Sequence, residues 1–136
     1  MFRLRVILWT LAAPLALRGG IARAFDWYRP RSAGSVHDAP ERIVEAADKI
    51  LLYRIRGRLV FRTRCLKRTL VLYRLLRESG HPAVAHIGLG RGEHGFDGHA
   101  WLTLHGRRIE DPTFTPQRDF TPFLEIDETS KELRGA

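Results

Sequence analysis

The stretch "CLKRTLVLYRLLRESGHPAVAHIGLG" (65–90) changes its hydrophobic period from that of a helix to that of a strand. A helix is predicted to begin near Cys65, with Thr63 as the N-cap residue whose hydroxyl accepts a hydrogen bond from a free amide. Gly80 and Pro82 are typical of a helix end. Apolar residues cover so much of this helix that we expect burial on more than one side. These residues are Leu66, Leu70, Val71, Leu72, Tyr73, Leu75 and Leu76.

The chain after this helix alternates in the manner of strands, and glycines separate the alternating runs. Gly106 and its neighbours favour a tight hairpin between the last two strands. Because the helices come first and an antiparallel meander follows them, the predicted fold class is α+β, with N-terminal helices and a small antiparallel sheet. The predicted segments are strands at 83–90, 99–106 and 107–114, a glycine-rich loop at 91–98 and an irregular tail at 115–136.

Two further helices are predicted before residue 65. One covers about 40–56, because Pro40 suits a first helical turn and Gly57 a helix end. The other lies in the apolar N-terminus (1–17), whose apolar run is too short for a full membrane span. We expect this N-terminal helix to pack on the domain, or to contact a partner or a membrane surface. The segment 25–40 has the Pro, Gly and Ser content of a linker.

Composition restricts the class of protein. At 136 residues, with 44% apolar and 28% charged residues, the chain has the size and composition of one globular domain. One cysteine excludes an internal disulfide and a multi-thiolate zinc site, and it favours a reducing, cytoplasmic location. The net charge is +8; ten basic residues and no acid lie between Lys49 and Arg77, which predicts attraction to something anionic.

The single cysteine, Cys65, lies where the predicted helix begins. The helix start and the neighbouring cations Arg64, Lys67 and Arg68 favour a thiolate over a thiol, and the thiolate is the reactive form. A thiolate near a histidine is the usual arrangement of a cysteine hydrolase. Taken alone, however, Cys65 is better explained as a small buried apolar residue.

His99 and Asp111 are the candidate partners of Cys65. In an antiparallel hairpin, the numbers of paired residues have a constant sum. The turn residues 105 and 106 sum to 211, and 99 and 111 sum to 210, so a hairpin centred on this turn brings His99 and Asp111 nearly opposite each other. A carboxylate there can orient the imidazole, as the third member of a triad does. Otherwise His99 is a surface or cap histidine and Asp111 a turn residue before Pro112. Trp101 is expected on the same strand face as His99.

The segments "RCLKRTLVLYRLLRESGHPAVAHIGLG" (64–90) and "GHAWLTLHGRRIEDP" (98–112) resemble the transglutaminase-like leader peptidases of lasso-peptide biosynthesis, the B proteins. The resemblance covers about residues 40–115. It implies a papain-like cysteine-protease core with Cys65 as nucleophile, His99 as general base and acid, and Asp111 as the orienting carboxylate.

The resemblance also implies a substrate and partners. The substrate is a precursor peptide cut between leader and core, and a macrolactam-forming lasso cyclase takes the freed core. The chain resembles the split type, whose leader-recognition domain is a separate protein, so residues 1–39 are predicted as a helix and linker and 40–136 as the peptidase domain. No cofactor, metal or nucleic acid is expected, and the nucleotide dependence of the pathway is left open.

Three alternatives remain at the level of sequence. The histidines at 86, 94, 99 and 105 have no spacing typical of a zinc site. The arginines between 54 and 68 suit a nucleic-acid- or protein-binding module without catalysis, although no known binding motif accompanies them. The same triad also suits an acyltransferase, because a Cys-His-Asp triad does not specify the acceptor.

Overall fold

The secondary structure comes from a computed structural model of the chain. It describes residues 2–32, 34–36, 38–52, 54–55, 58–59, 65–92, 95–109, 121–126 and 131–133. The helices are α1 (Phe2–Leu17), α2 (Ile21–Tyr28), α3 (Pro40–Leu51) and α4 (Cys65–Glu78). The strands are β1 (Arg54–Ile55), β2 (Arg58–Leu59), β3 (Ala83–Gly92), β4 (Gly95–Leu104), β5 (Arg107–Arg108), β6 (Thr121–Ile126) and β7 (Lys131–Leu133).

Helix α4 begins at Cys65 and ends at Glu78, as the sequence predicts. Its C-terminus is a Schellman motif, because the amide of His81 donates to the Leu76 carbonyl and that of Gly80 to the Arg77 carbonyl. Gly80 has φ 82°, a left-handed conformation that glycine adopts without strain. Most of the helix is buried, so it forms the centre of the core. Thr63, the predicted N-cap, lies outside the described residues.

The N-terminal helices pack on α4 and belong to the same hydrophobic core. Val6 and Ala13 of α1 and Phe25 and Tyr28 of α2 are fully buried. The Tyr28 hydroxyl donates a hydrogen bond to the Trp9 carbonyl, and burial raises the pKa of Tyr28 to about 12. The predicted linker over 25–40 therefore starts too early, because the apolar side of α2 continues to residue 28. The domain division at residues 39 and 40 stays a prediction.

The segment that follows α2 crosses the C-terminus of α4. The amide of Gly34 donates to the Glu78 carbonyl over 3.2 Å. A Cβ atom on Gly34 would lie 2.1 Å from that carbonyl oxygen, so a larger residue here would push the two backbones apart. This contact fixes the chain between the N-terminal helices and α3.

Helix α3 is shorter than the predicted 40–56. Pro40 opens it, as expected, but it ends at Leu51, and residues 54–55 pair with 58–59 in a two-stranded antiparallel sheet. The sequence after Leu52 is "YRIRGRLVF", whose aromatic and β-branched residues favour extended backbone. The prediction was wrong because the apolar spacing of 50, 51 and 55 also fits a continued helix.

The main sheet has five strands in the order β5-β4-β3-β6-β7. Strands β3 and β4 form an antiparallel ladder from Ala83 opposite Leu104 to Gly92 opposite Gly95. The predicted glycine-rich loop at 91–98 is therefore wrong, because most of its residues extend these two strands. Thr103 pairs with Arg108 across a turn in which His105 and Gly106 have positive φ, which confirms the predicted hairpin.

Two segments of the tail that was predicted to be irregular, 121–126 and 131–133, are strands, so the prediction is wrong for these residues. Strand β6 pairs antiparallel with β3, and β7 pairs with β6, so the tail extends the sheet. The rest of the predicted third strand, 110–114, lies outside the described residues. The helices and the antiparallel sheet of the described residues confirm the predicted α+β class.

The sheet has two distinct faces in its central strands. Ala85 and Ile87 of β3 and Ala100 and Leu102 of β4 are buried in the hydrophobic core that includes α4. The residues that alternate with them project from the other face, because successive side chains of a strand point to opposite sides. That second face carries His86, His99, Trp101 and Thr103.

Candidate active site

Cys65 is the first residue of α4, and its side chain is half-buried. The first turn of the helix is held by a buried ion pair: Arg68 donates through Nε and Nη2 to the two carboxylate oxygens of Asp48, each over 2.8 Å. The Arg68 side chain is 5% exposed and that of Asp48 is 13% exposed, so water competes little for this bidentate contact. Asp48 of α3 thus fixes the helix end that carries the thiol.

His99 lies within β4, opposite Gly88 of β3, and is 4% exposed. Gly88 has no side chain, so β3 contributes none directly opposite the imidazole. Its ring stacks on Trp101 with centroids 5.9 Å apart and planes inclined by 17°, which confirms that the two residues share a face.

The alternation of β4 places the His99 imidazole on the face opposite to Ala100 and Leu102, which belong to the core. Helix α4 contacts both β3 and β4. Convergence of His99 with Cys65 stays a prediction, and Asp111 lies outside the described residues.

A stack of three rings extends from His99 across β4 to β3. The His86 ring lies on the other side of the stack, 5.4 Å from the Trp101 ring and inclined to it by 9°. The Arg108 guanidinium lies 5.0 Å from the same indole, in cation–π geometry. Sequence reasoning considered His86 only as one of four histidines weighed for zinc, because its place opposite Trp101 follows from the β3–β4 register and not from its own strand.

Both ring nitrogens of His86 have partners. Nε2 lies 2.7 Å from the Thr103 hydroxyl, and Nδ1 lies 3.3 Å from a carboxylate oxygen of Glu125 on β6. A carboxylate only accepts, so Nδ1 carries the proton in the neutral ring and Nε2 accepts from Thr103. Burial lowers the pKa of His86; Glu125 opposes this shift and Arg108 adds to it. The imidazole beside Glu125 is therefore neutral at pH 7.

Comparison with protein families gives one result. A sequence model of the Transglutaminase-like superfamily matches residues 1–125. The chain belongs to this superfamily. No curated protein and no solved structure gives a significant match. The matched region contains Cys65, His99 and Asp111, and it also includes α1 and α2.

The Transglutaminase-like superfamily includes cysteine peptidases, so a half-buried cysteine at the start of a central helix is the residue to examine for chemistry.

A large open cleft lies apart from Cys65 and His99, between α3 and the β4–β5 hairpin. Its volume is about 1160 Å³. Glu41, Glu45 and Lys49 of α3 line the cleft, as do His105 and Arg107 of the hairpin. Apolar side chains also line it. These apolar residues are Val44, Leu52, Leu104 and Ile109.

The basic stretch between Lys49 and Arg77 is partly structural. Besides Arg68, Arg77 is buried and donates to the Ala83 carbonyl over 2.9 Å. Arg74 bonds Glu78 and stacks over Trp9, and Lys49 pairs with Glu45. These cations already have partners within the domain, so they would have to leave them to contact a phosphate backbone.

Among the residues that the structure describes, no three or more His, Cys, Asp or Glu side chains are close enough to hold a metal ion. None of the described helices is both long enough and apolar enough to cross a membrane.

Proposed function

We propose that this member of the Transglutaminase-like superfamily is a cysteine peptidase with Cys65 as its nucleophile, His99 as its general base and acid, and Asp111 as the carboxylate that orients His99. The observation that carries the proposal is the position of Cys65 at the first residue of the central helix in a chain of this superfamily. The first amides of a helix have no intrahelical acceptor, so they can stabilise a negative charge beside the thiol.

The lengths of α4 and β4 put Cys65 and His99 at a similar level, although the His99 imidazole projects from the sheet face opposite to the core that contains α4. Arg77 bonds Ala83, and Ala83 pairs with Leu104, so the end of α4 and the end of β4 share one corner of the molecule. From that corner, Cys65 lies about 20 Å back along the helix. His99 lies about 17 Å back along its strand. The two residues are at the same level when helix and strands run side by side.

The proposed reaction breaks a peptide bond in two steps. His99 takes the proton from the Cys65 thiol, the sulfur attacks the scissile carbonyl carbon, and the backbone amide of Cys65 stabilises the oxyanion. The C–N bond then breaks as His99 returns the proton to the leaving amine. Water, deprotonated by His99, hydrolyses the thioester and regenerates the thiol.

The proposed substrate is the precursor of a lasso peptide, cut between leader and core. The support is the resemblance of 64–90 and 98–112 to the leader peptidases of that pathway. A separate leader-recognition protein presents the precursor, and a macrolactam-forming cyclase receives the core. The described part of the chain consists of the helices and the sheet of the domain itself, which fits presentation of the precursor by a separate protein.

The direct test mixes this chain, the recognition protein and the precursor and follows the products by mass spectrometry. We expect free leader and free core with the wild type, and intact precursor with Cys65→Ala. His105→Asn serves as a matched control for His99→Asn, because His105 is exposed in the β4–β5 turn. A leader that gains the mass of an amine instead of water would assign acyl transfer. Cleavage that survives Cys65→Ala would refute the peptidase proposal.

Convergence of Cys65 with His99 can be tested without any substrate. We expect iodoacetamide to alkylate Cys65 more slowly in His99→Asn than in the wild type or in His105→Asn, because an adjacent imidazole stabilises the thiolate. Since the chain has one cysteine, the rate reports this thiol alone. Equal rates in all three proteins would show that the imidazole does not reach the thiol.

A further inference from the structure

We propose that the exposed face of α1 is a docking surface for a helix of another protein, one with leucine-like residues along one seam and acidic residues beside it. Four leucines form this α1 seam: Leu4, Leu8, Leu11 and Leu15, which are 54%, 56%, 72% and 62% exposed. Ile7 beside them is 44% exposed. The inference concerns a surface apart from Cys65 and does not depend on the proposed peptidase activity.

The opposite side of α1 is anchored to the domain. Val6 and Ala13 are fully buried, and the Trp9 ring packs against the Tyr28 ring with centroids 4.7 Å apart. The Arg74 guanidinium covers the same indole at 4.6 Å. At 100° per residue, these buried positions lie opposite the α1 seam. The seam is therefore presented by a helix whose orientation the core already fixes.

The spacing of the α1 seam identifies a helix as its occupant. The leucines are separated by four, three and four residues, which is the alternation of two core positions in a heptad repeat. They fall within an arc of about 60°, the narrow stripe that packs against one partner helix. A helix lying in a membrane interface needs a broad apolar face and a polar face on the other side, whereas the other side of α1 is buried in protein.

The charges around the α1 seam identify the chemistry of the partner. Arg3 flanks its N-terminal end and Arg18 follows its C-terminal end, and both are exposed; Arg5, close to Arg3, already pairs with Glu78 of α4. The sequence has no acidic residue before Asp26. A second copy of the chain would bring arginines against arginines in either orientation, whether parallel or antiparallel. A helix with Glu or Asp beside its apolar seam removes that repulsion and gains opposite-charge pairs.

The experiment uses two synthetic helical peptides of about three heptads, each with Leu at the two core positions. One has Glu at the flanking positions, and the other has Lys there. Binding of each to the full chain is measured by calorimetry. We expect the Glu peptide to bind at least about tenfold more tightly than the Lys peptide. The double variant Leu8→Gln/Leu11→Gln should weaken binding of the Glu peptide at least about tenfold.

Val36→Gln is the matched control, because Val36 is 64% exposed and lies outside α1. It should leave the affinity within about twofold of the wild type. Equal affinity for the two peptides, or an affinity that the double variant retains, would overturn the proposal. So would a wild-type dimer in sedimentation that the double variant loses, because the occupant is then a second copy. Seam-dependent binding to anionic vesicles without binding of the Glu peptide would assign the surface to lipid instead.

Discussion

The two faces of the β3–β4 ladder differ in what they contribute to the molecule. One face presents Ala100 and Leu102 to the core that contains α4. The other presents His99 and Trp101, in a layer of stacked rings with His86. Neighbouring residues of one strand therefore serve packing on one side and polar chemistry on the other. Because side chains alternate along a strand, mutations at adjacent positions can separate stability from activity.

The largest expected effect is on catalysis. His99→Asn should lower kcat/KM by about 10³-fold or more, because the amide cannot exchange a proton as the imidazole does. The free energy of unfolding, measured in urea, should change far less than the activity does. The measurement pairs single-turnover cleavage with urea unfolding followed by Trp fluorescence. If activity falls only in proportion to the folded fraction, His99 has a structural role alone.

The core face should respond in the opposite sense. Leu102→Ala should lower the free energy of unfolding by about 2–4 kcal/mol, because Leu102 is 2% exposed and truncation leaves a cavity. Activity per folded molecule should be unchanged. Thr103→Ala, one residue further on the other face, provides the comparison and should lose about 1 kcal/mol with its hydrogen bond to His86. A smaller loss for Leu102→Ala than for Thr103→Ala would contradict the assignment of the two faces.

The sequence predicts a structural feature well when the residues that cause it lie close together in the chain. Helix α4 is predicted correctly because its apolar pattern, Gly80 and Pro82 act within a few residues of each other. The turn at His105 and Gly106 is local in the same way. The loop predicted at 91–98 was wrong because pairing with β3 overrides the flexibility of its glycines. Strand β6 was missed because its partner, β3, lies more than thirty residues earlier in the chain.

The candidate site follows the same rule. That Cys65 begins a helix and that Trp101 shares a face with His99 follow from local periods. The contact of His86 with Trp101 requires the register of two strands, and its contact with Glu125 requires a third strand. Convergence of Cys65 with His99 depends on the packing of α4 against the sheet, which no local pattern specifies. The sequence therefore supplies the candidates, and long-range packing decides which of them meet.

Trp101 should have an intermediate effect as a positioning residue, acting through His99. Trp101→Leu should lower kcat by about tenfold with little change in KM, because the imidazole loses the ring on which it stacks. Trp101→Phe should recover part of the rate, since a smaller aromatic ring still stacks. Trp27→Leu is the control, because Trp27 is 52% exposed on α2. A rise in KM at constant kcat would instead indicate that the indole contacts the substrate.

The smallest expected effect is a pH dependence that originates at His86. Burial lowers the folded pKa of His86 below its ordinary 6.5, so the unfolded chain binds a proton first as the pH falls. The stabilisation from neutral His86 is fully present above pH 6.5 and decreases as the pH falls from there through the lowered folded pKa. Glu125 weakens this pH dependence because its negative charge favours the protonated ring. Arg108 strengthens the pH dependence because its positive charge disfavours the protonated ring.

The pH dependence is best measured as a difference between two proteins, since other groups titrate in the same range. The free energy of unfolding of the wild type should decrease relative to that of His86→Gln between pH 7 and pH 5, because the unfolded chain takes up the His86 proton before the folded chain does. Gln can still bond Thr103 but does not titrate. A wild type that gains stability relative to the variant on acidification would mean that Glu125 dominates, with His86 charged and ion-paired, and the second face of the sheet would then carry a salt bridge where we describe a neutral ring stack.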